Sequence, residues 1–267
     1  MAAFPCVLST QYTGGCCIKT SVILPSLLAI TALAIPTAAC SFESEARGQE
    51  IAAQGSGGQR SYAVRGFTAV DASGSDPVDI RTGRDFSVRA QGDAGALDQL
   101  RIARDGDKLL IDVKKGVHWG GRRNVRILVT LPRLTGAGVS GSGRMTVDRV
   151  DGPLFRAGVA GSGDLAIAAM RVNTADLGVA GSGSMTASGS VNTLKVGVAG
   201  SGNVQGAGLR ARQAQVGITG SGNVTLQVDG PAKVGLTGSG NADLGPNAVC
   251  TVGKTGSGSA RCGRYSR

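Results

Sequence analysis

Aromatic residues and histidine are scarce in this chain. Phe, Trp and Tyr make up 3% of its 267 residues, and histidine occurs once, as His118. A single histidine excludes most histidine-based catalytic constellations, and with so few cysteines it cannot complete a zinc site. Acidic residues lie mainly at turns, where local hydrogen bonding explains them. The sequence therefore predicts no catalytic residue, no metal site and no cofactor, and we do not expect an enzyme.

The net charge of +10 is compatible with a nucleic-acid partner, but the scarcity of aromatic residues argues against one. A protein that binds single-stranded nucleic acid stacks the bases on aromatic side chains, and this chain has few of them. Diffuse positive charge is better matched by an anionic polymer through screened, non-specific attraction. We therefore expect envelope glycans, lipopolysaccharide or surface proteins as partners, and no nucleic acid. Alternatively, the charge belongs to a solvated surface rich in arginine and selects no partner.

Long apolar runs are also lacking. The longest, from Ser21 to Ile35, follows Lys19 and is shorter than the roughly 20 residues that a helix needs to cross a bilayer. A basic residue, a short apolar run and then small residues predict a secretory signal over residues 1 to 40. The small residues before Cys40 resemble a bacterial lipobox. Either Cys40 is lipidated and anchors the chain to a membrane, or ordinary signal peptidase cleaves near the same point.

Composition divides the rest of the chain. Residues 41 to 62 are polar and contain a glycine cluster, which predicts a flexible tether. Residues 63 to 134 contain short apolar runs separated by turn signals, which predict an N-terminal β region that is either a cap or the first coils. Residues 135 to 263 form a repeat region, and residues 264 to 267 form a tail.

Glycine, by contrast, is abundant, with 44 residues, and much of it lies in a recurring Gly-Ser-Gly tripeptide. The seven copies begin at Gly141, Gly161, Gly181, Gly200, Gly220, Gly238 and Gly256. A unit of 18 to 20 residues is too small to bury its own apolar face, so it must stack on its neighbours. Apolar and polar residues alternate on both sides of the tripeptide, as in strands. The predicted fold is an all-β solenoid whose corners are made by glycine.

Three segments carry a resemblance to a known family. They are GFTAVDASGSDPVDIRTG (66 to 83), DGDKLLIDV (105 to 113) and VRILVTLPRLTGAGVSGSG (125 to 143), followed by the serial GSG repeats. Together they resemble the putative auto-transporter adhesin head GIN domain family, from about Gly66 to Gly263. The resemblance implies a single-stranded right-handed parallel β-helix in an exported bacterial protein, and it brings no established site residues.

One face of the predicted solenoid is a candidate binding stripe. A glycine lies three residues before every tripeptide, at an outward position, next to a small residue and close to the serine of the corner. The stripe consists of Gly158, Gly178, Gly197, Gly217 and Gly235 with Ser162, Ser182, Ser201, Ser221 and Ser239. Another backbone or a sugar ring could approach such a smooth surface closely. Alternatively, these glycines serve only the backbone geometry at the bend.

Two further groups are expected to be structural. Asn203, Asn223 and Asn241 follow successive corners and predict a stacked amide ladder. Cys250 and Cys262 occupy inward positions of the final coil, where they form either a disulfide or two buried free thiols.

These features together predict an exported, non-catalytic module of the bacterial periplasm or outer membrane, similar to an adhesin head, that binds through flat repeat faces. One alternative is a carbohydrate-binding or polysaccharide-cleaving β-helix protein, and another is a structural spacer of the envelope. The sequence leaves the oligomeric state open.

Overall fold

The structure is a computed structural model that describes residues 48 to 114 and 124 to 266. These residues belong to one compact unit, Ser44–Arg267. The predicted signal sequence, Cys40 and His118 lie outside the described residues. Within the described ranges, no helix is long and apolar enough to cross a membrane.

The described chain consists almost entirely of strands. The elements, in chain order, are β1 (Gln49–Glu50), β2 (Ala53–Gln54), β3 (Gln59–Tyr62), β4 (Ala69–Gly74), β5 (Val78–Thr82), β6 (Ser87–Gly92), α1 (Ala94–Asp98), β7 (Leu100–Asp105), β8 (Lys108–Val113), β9 (Val125–Leu131), β10 (Gly136–Gly141), β11 (Arg144–Gly161), β12 (Asp164–Gly181), β13 (Ser184–Gly200), β14 (Asn203–Gly220), β15 (Asn223–Val228), β16 (Pro231–Gly238), β17 (Asn241–Asp243), β18 (Val249–Thr255), β19 (Ser259–Arg261) and β20 (Arg264–Tyr265).

The repeat region is a parallel β-solenoid, which confirms the predicted fold class. Strands β10 to β14 stack in parallel, and the first glycine of each tripeptide lies opposite that of the next, as in Gly161 and Gly181. At the first six corners the serine N–H donates to the glycine carbonyl one layer below, as Ser182 does to Gly161 at 2.9 Å, and at the seventh the N–H of Gly258 donates to the carbonyl of Gly238 at 3.0 Å. The seven corners delimit about six turns.

Each coil has three sides. In β12, stretches of alternating burial are separated at residues 168 to 169 and 173 to 174 by pairs of residues that are not buried. The inward side chains are Leu165 and Ile167 on the first side, Met170 and Val172 on the second, and Ala175, Leu177 and Val179 on the third. The second side, which the sequence did not predict as a strand, is therefore a strand as well. Side chains from the three sides meet in one narrow, continuous core.

Residues 63 to 134 contain both a first coil and a cap. Strand β4 pairs in parallel with β10, and β5 with β11, so that Gly74 lies opposite Gly141. Gly74 has a positive φ of 124°, close to the 108° to 119° of the other corner glycines. Gly74, Ser75 and Asp76 are therefore a corner of the same kind in which aspartate replaces the second glycine.

The cap changes the stack from parallel to antiparallel pairing. Strands β8 and β9 extend the first coil in parallel, and antiparallel strands then follow on each side, β7 and β1 beyond β8, and β6, β3 and β2 beyond β9. Helix α1 places Leu97 in the core of this region. The cap thus covers strand edges that would otherwise be open to pairing with another chain.

The prediction of a flexible tether over residues 41 to 62 is wrong for residues 49 to 62. Strand β3 pairs with β6 along its length, and Tyr62 is buried in the core of the cap. The polar composition has another cause, because residues 49 to 50 and 53 to 54 are exposed in short strands at the border of the sheet and residues 55 to 58 form the exposed connection to β3. Residues 264 and 265, predicted as a tail, form β20 and pair with β18.

The last coil contains a disulfide between Cys250 and Cys262, which are 12 residues apart. Cys250 is fully buried, and Cys262 packs against the end of the core. The bond therefore joins the strand before the last corner to the chain after it.

Replacing both cysteines by alanine should lower the free energy of unfolding by about 3 kcal/mol, because the unfolded chain regains the entropy of a loop of this length. Urea unfolding of the oxidised protein, the reduced protein and the double variant checks this. The reduced protein and the variant should agree, and equal midpoints for all three would contradict a stabilising role.

A groove over the glycine column

A groove with a volume of about 1290 Å³ runs along the side of the solenoid formed by the strand segments that precede the corners. Its floor is the column of outward glycines, which we call the glycine column, from Gly138 to Gly217. Beside the column lie small residues, namely Ser140, Ala160, Ala180, Ala199 and Thr219. Part of the predicted stripe therefore lies at the bottom of a concave surface.

The glycines of the column are not required by the backbone. None of Gly158, Gly197 and Gly217 has a positive φ, and a Cβ built on any of them would meet no atom within 4 Å. A larger residue would fit there and would suit a strand better than glycine does. This argues against the alternative that backbone geometry explains the column. The lack of side chains along this surface therefore needs another explanation.

The corner glycines differ in both respects. Gly161 has a φ of 108°, and its Cβ would lie 2.7 Å from the carbonyl oxygen of Gly141. At the second glycine of the tripeptide, a Cβ on Gly163 would lie 2.5 Å from the carbonyl oxygen of Gly143. The corner glycines therefore serve the fold, whereas the glycine column leaves space at the surface.

The floor of the groove offers a ligand few hydrogen-bonding groups. In stacked parallel strands the backbone N–H and C=O groups point along the solenoid axis and bond to the neighbouring layers. Glycine adds no side chain, and Ala160, Ala180 and Ala199 add only methyl groups. The middle of the groove is therefore apolar, although it is built largely of backbone.

One end of the groove is charged. Arg101 on β7 is only 7% exposed, and it donates from Nη1 to Oδ2 of Asp112 on β8 at 2.8 Å and from Nη2 to the carbonyl of Gly48 at 3.3 Å. Glu50 lies 3.9 Å from Arg101 Nε and also 3.9 Å from Lys114 Nζ. Burial raises the pKa of Asp112, and Arg101 only partly opposes that effect.

Asp112 retains capacity to accept a hydrogen bond. Its Oδ1 is buried and has no hydrogen-bond partner among the described residues, while the side chain as a whole is 31% exposed and lines the groove. The sequence analysis missed both Arg101 and Asp112. The available signal was a charged residue flanked by apolar residues in a strand, as in Leu100, Arg101 and Ile102.

The structure places the corner serines apart from the groove. Ser162, Ser182, Ser201, Ser221 and Ser239 are exposed along the edge of the solenoid, and none of them lines the groove. The hydroxyl of Ser239 lies 3.0 Å from that of Ser257 in the next coil. Gly235 lies beyond the groove and lines a smaller concavity further along the same column.

The asparagines stack as a ladder. Asn223 donates to Asn203 at 3.1 Å, Asn241 donates to Asn223 at 3.2 Å, and the hydroxyl of Ser259 donates to Asn241 at 2.7 Å. The ladder lies on the side that follows the corners and is exposed, which suits a structural role.

Replacing Asn223 by alanine removes two of these exposed hydrogen bonds, and we expect a loss of about 1 kcal/mol in the free energy of unfolding. Chemical denaturation measures it, with Thr225→Ala, an exposed change on the same strand, as the control. A loss no larger than that of the control would contradict a stabilising ladder.

Comparison with known proteins places this architecture among solved structures. A crystal structure described as a "putative adhesin" from Bacteroides fragilis superposes with a TM-score of 0.71 at 18% identity, covering 76% of this chain and 95% of that one. A "putative adhesin" from Parabacteroides merdae gives 0.62 at 13% identity, covering 78% and 97%. A "putative lipid binding protein" from Parabacteroides distasonis gives 0.58 at 18% identity, covering 80% and 98%. At these identities the likeness shows the fold alone.

No curated protein matches the sequence. Residues 66 to 248, however, match the model of a family described as "Putative auto-transporter adhesin, head GIN domain". Members of an adhesin-like family are typically cell-surface or exported bacterial proteins. The match covers more than half of the sequence, so this chain belongs to the family of putative auto-transporter adhesins with a head GIN domain.

Proposed function

We propose that this chain is an exported, non-catalytic module of the bacterial cell envelope that binds a partner through the groove over its glycine column. The observation that carries the proposal is the glycine repeated at Gly158, Gly197 and Gly217, where neither φ nor packing calls for one; at Gly138, by contrast, a Cβ would lie 2.4 Å from Oδ1 of Asp71. Glycine inside a strand costs roughly 0.5 to 1 kcal/mol relative to alanine. A feature that weakens every coil and leaves an apolar groove is more readily explained by binding than by the fold.

The charged groups of the groove support binding over catalysis. Asp112 bonds to Arg101, and Asp71 lies 3.1 Å from Lys108 Nζ. Carboxylates held in ion pairs are poor candidates for the paired acid and base of a glycosidase, which need pKa values set apart by their surroundings. This disfavours the polysaccharide-cleaving alternative. Envelope glycans, lipopolysaccharide and surface proteins remain the partner classes that the location suggests.

The signal over residues 1 to 40 supports export, and the lipobox-like residues before Cys40 support a lipid anchor in the periplasm or outer membrane. The anchor is tested by incorporation of labelled palmitate in the producing bacterium. The natural chain should be labelled and Cys40→Ala should not. Equal labelling of both, or of neither, would contradict lipidation at this residue.

The binding role is tested by adding the purified full chain to whole bacterial cells and to a glycan array. Gly197→Val fills the groove without a predicted clash, and Gly253→Val makes the same change in the same column beyond the groove. We expect cell or glycan binding that Gly197→Val abolishes and Gly253→Val retains. If the natural chain binds neither cells nor glycans, an envelope spacer is favoured. If both variants bind equally well, the groove is not the binding site.

A further inference from the structure

A second concavity, with a volume of about 390 Å³, lies on the third side of the last coils. Outward side chains from successive coils form one wall, namely Lys195, Gln215, Lys233 and Thr251. The other wall holds the side chains two residues earlier in each strand, namely Thr193, Gln213, Pro231 and Val249. None of these residues lines the groove over the glycine column, so the concavity is a separate surface.

Two ammonium groups of this concavity have no partner among the described residues. Lys195 and Lys233 are exposed, and neither forms an ion pair or a hydrogen bond with that part of the chain. The other lysines in the described ranges, Lys108, Lys114 and Lys254, each contact a carboxylate or a carbonyl oxygen. An anionic group can therefore bind in the concavity without displacing an existing contact.

The two lysines are regularly spaced. They lie two layers apart, which is about 9.6 Å along the axis, and uncharged Gln215 lies between them. Asp176 occupies the same column one coil before Lys195, but it does not line the concavity. A sugar polymer that runs along the axis places about one ring on each layer, so it meets a positive charge at every second ring.

The opposite wall is uncharged and partly apolar. Gln213 donates from Nε2 to the hydroxyl of Thr193 at 2.7 Å, which leaves its carbonyl oxygen available to a hydroxyl group of a ligand. Pro231 is exposed, and Val249 is a large hydrophobic residue that is 36% exposed. Binding sites commonly combine apolar surface with a few polar groups. A sugar ring, with hydroxyls at its edge and carbon-bound hydrogens on its faces, suits such a wall.

We propose that this concavity binds an acidic polysaccharide in which every second sugar carries a carboxylate. The carboxylates lie against Lys195 and Lys233, and the uncharged sugar between them lies over Gln215. Ring hydroxyls bond to Gln213, and the face of a ring packs on Val249. This site goes beyond the proposed function, because it needs neither the groove nor the glycine column.

The experiment is a nuclear magnetic resonance titration of the isotopically labelled full chain with hyaluronan hexasaccharide, which carries carboxylates on alternate sugars. Amide shifts should change around Lys195, Gln215 and Lys233, and added salt should weaken binding because these charges are exposed. An exposed ion pair is worth up to about fivefold in affinity, so Lys233→Gln should weaken binding about three- to fivefold. The double variant of Lys195→Gln and Lys233→Gln, and the uncharged hexasaccharide of N-acetylglucosamine, should each give a loss of about tenfold.

Two variants serve as controls and should leave hexasaccharide binding unchanged. Arg156→Gln removes a positive charge from the same column two coils before Lys195, outside the concavity. Gly158→Val fills the groove over the glycine column without a predicted clash.

Three results would overturn the inference. They are the absence of shifts around Lys195 and Lys233, an equal loss of binding in Arg156→Gln, and the same shifts with inorganic phosphate at the same concentration, which would indicate attraction of any anion. If the hexasaccharide does not bind but Gly158→Val still abolishes binding to cells, the inference about this concavity fails while the proposed function stands.

Discussion

Gly200→Val is expected to lower the free energy of unfolding by about 4 kcal/mol or more, whereas Gly197→Val, three residues earlier in the same strand, should not lower it. Gly200 is a corner glycine with a φ of 116°, and its Cβ would lie 2.5 Å from the carbonyl oxygen of Gly181. Both the strained φ and the clash involve backbone held by neighbouring layers, so neither can relax locally. At Gly197 a Cβ meets nothing within 4 Å.

Chemical denaturation of the two variants and the natural chain measures this difference. Gly197→Val should keep the midpoint or raise it slightly, because valine suits a strand and glycine does not. A large loss of unfolding free energy in Gly197→Val, or none in Gly200→Val, would contradict the structure. The structure makes glycine necessary at the corner and unnecessary in the glycine column.

Phe155→Ala is expected to cost about 3 to 5 kcal/mol, because it leaves a cavity in a narrow core. Phe155 is fully buried and is among the largest side chains of the core. It lies opposite Ala175 in the next coil, and Thr135 precedes it by one coil. Neither neighbour is large enough to fill the space, and the parallel hydrogen bonds prevent the layers from closing over it.

The control is Arg156→Ala, a change at the exposed residue next to Phe155. Its free energy of unfolding should lie within about 0.5 kcal/mol of that of the natural chain. In a stacked repeat each coil contacts only the next ones, so the damage should be greatest in coils near Phe155. Hydrogen exchange should show faster amide exchange around β11 and β12 than around β18. Uniformly faster exchange along the chain would indicate a single cooperative core instead.

The sequence predicted the inward positions of the repeat well, because alternation in a strand is a local property of the backbone. Val159, Leu177 and Val179 are buried as expected. The second side of the coil, with Met170 and Val172 inward, was missed as a strand because the alternation is interrupted on both sides of it, at residues 168 to 169 and 173 to 174. Gly74 was missed as a corner because Asp76 breaks the tripeptide.

The candidate site was predicted only in part, for a different reason. Alternation alone places the glycine column on an outward face, and the structure agrees. The charged end depends on β7 and β8 pairing antiparallel, which brings Arg101 opposite Asp112. The corner serines were grouped with the column from their closeness in sequence, but the bend at the first glycine of each tripeptide turns them away from the groove.

The stacking of the corners is tested most directly by cysteine cross-linking, in a chain whose unpaired cysteines are replaced by serine. Ser162 and Ser182 occupy equivalent corners of adjacent coils, about 4.8 Å apart along the axis, so cysteines there should form a disulfide in high yield under mild oxidation. Cysteines at Ser162 and Ser221 are three coils apart and should remain free. Failure of the first pair to join, or efficient joining of the second, would contradict a solenoid that advances one layer at each corner.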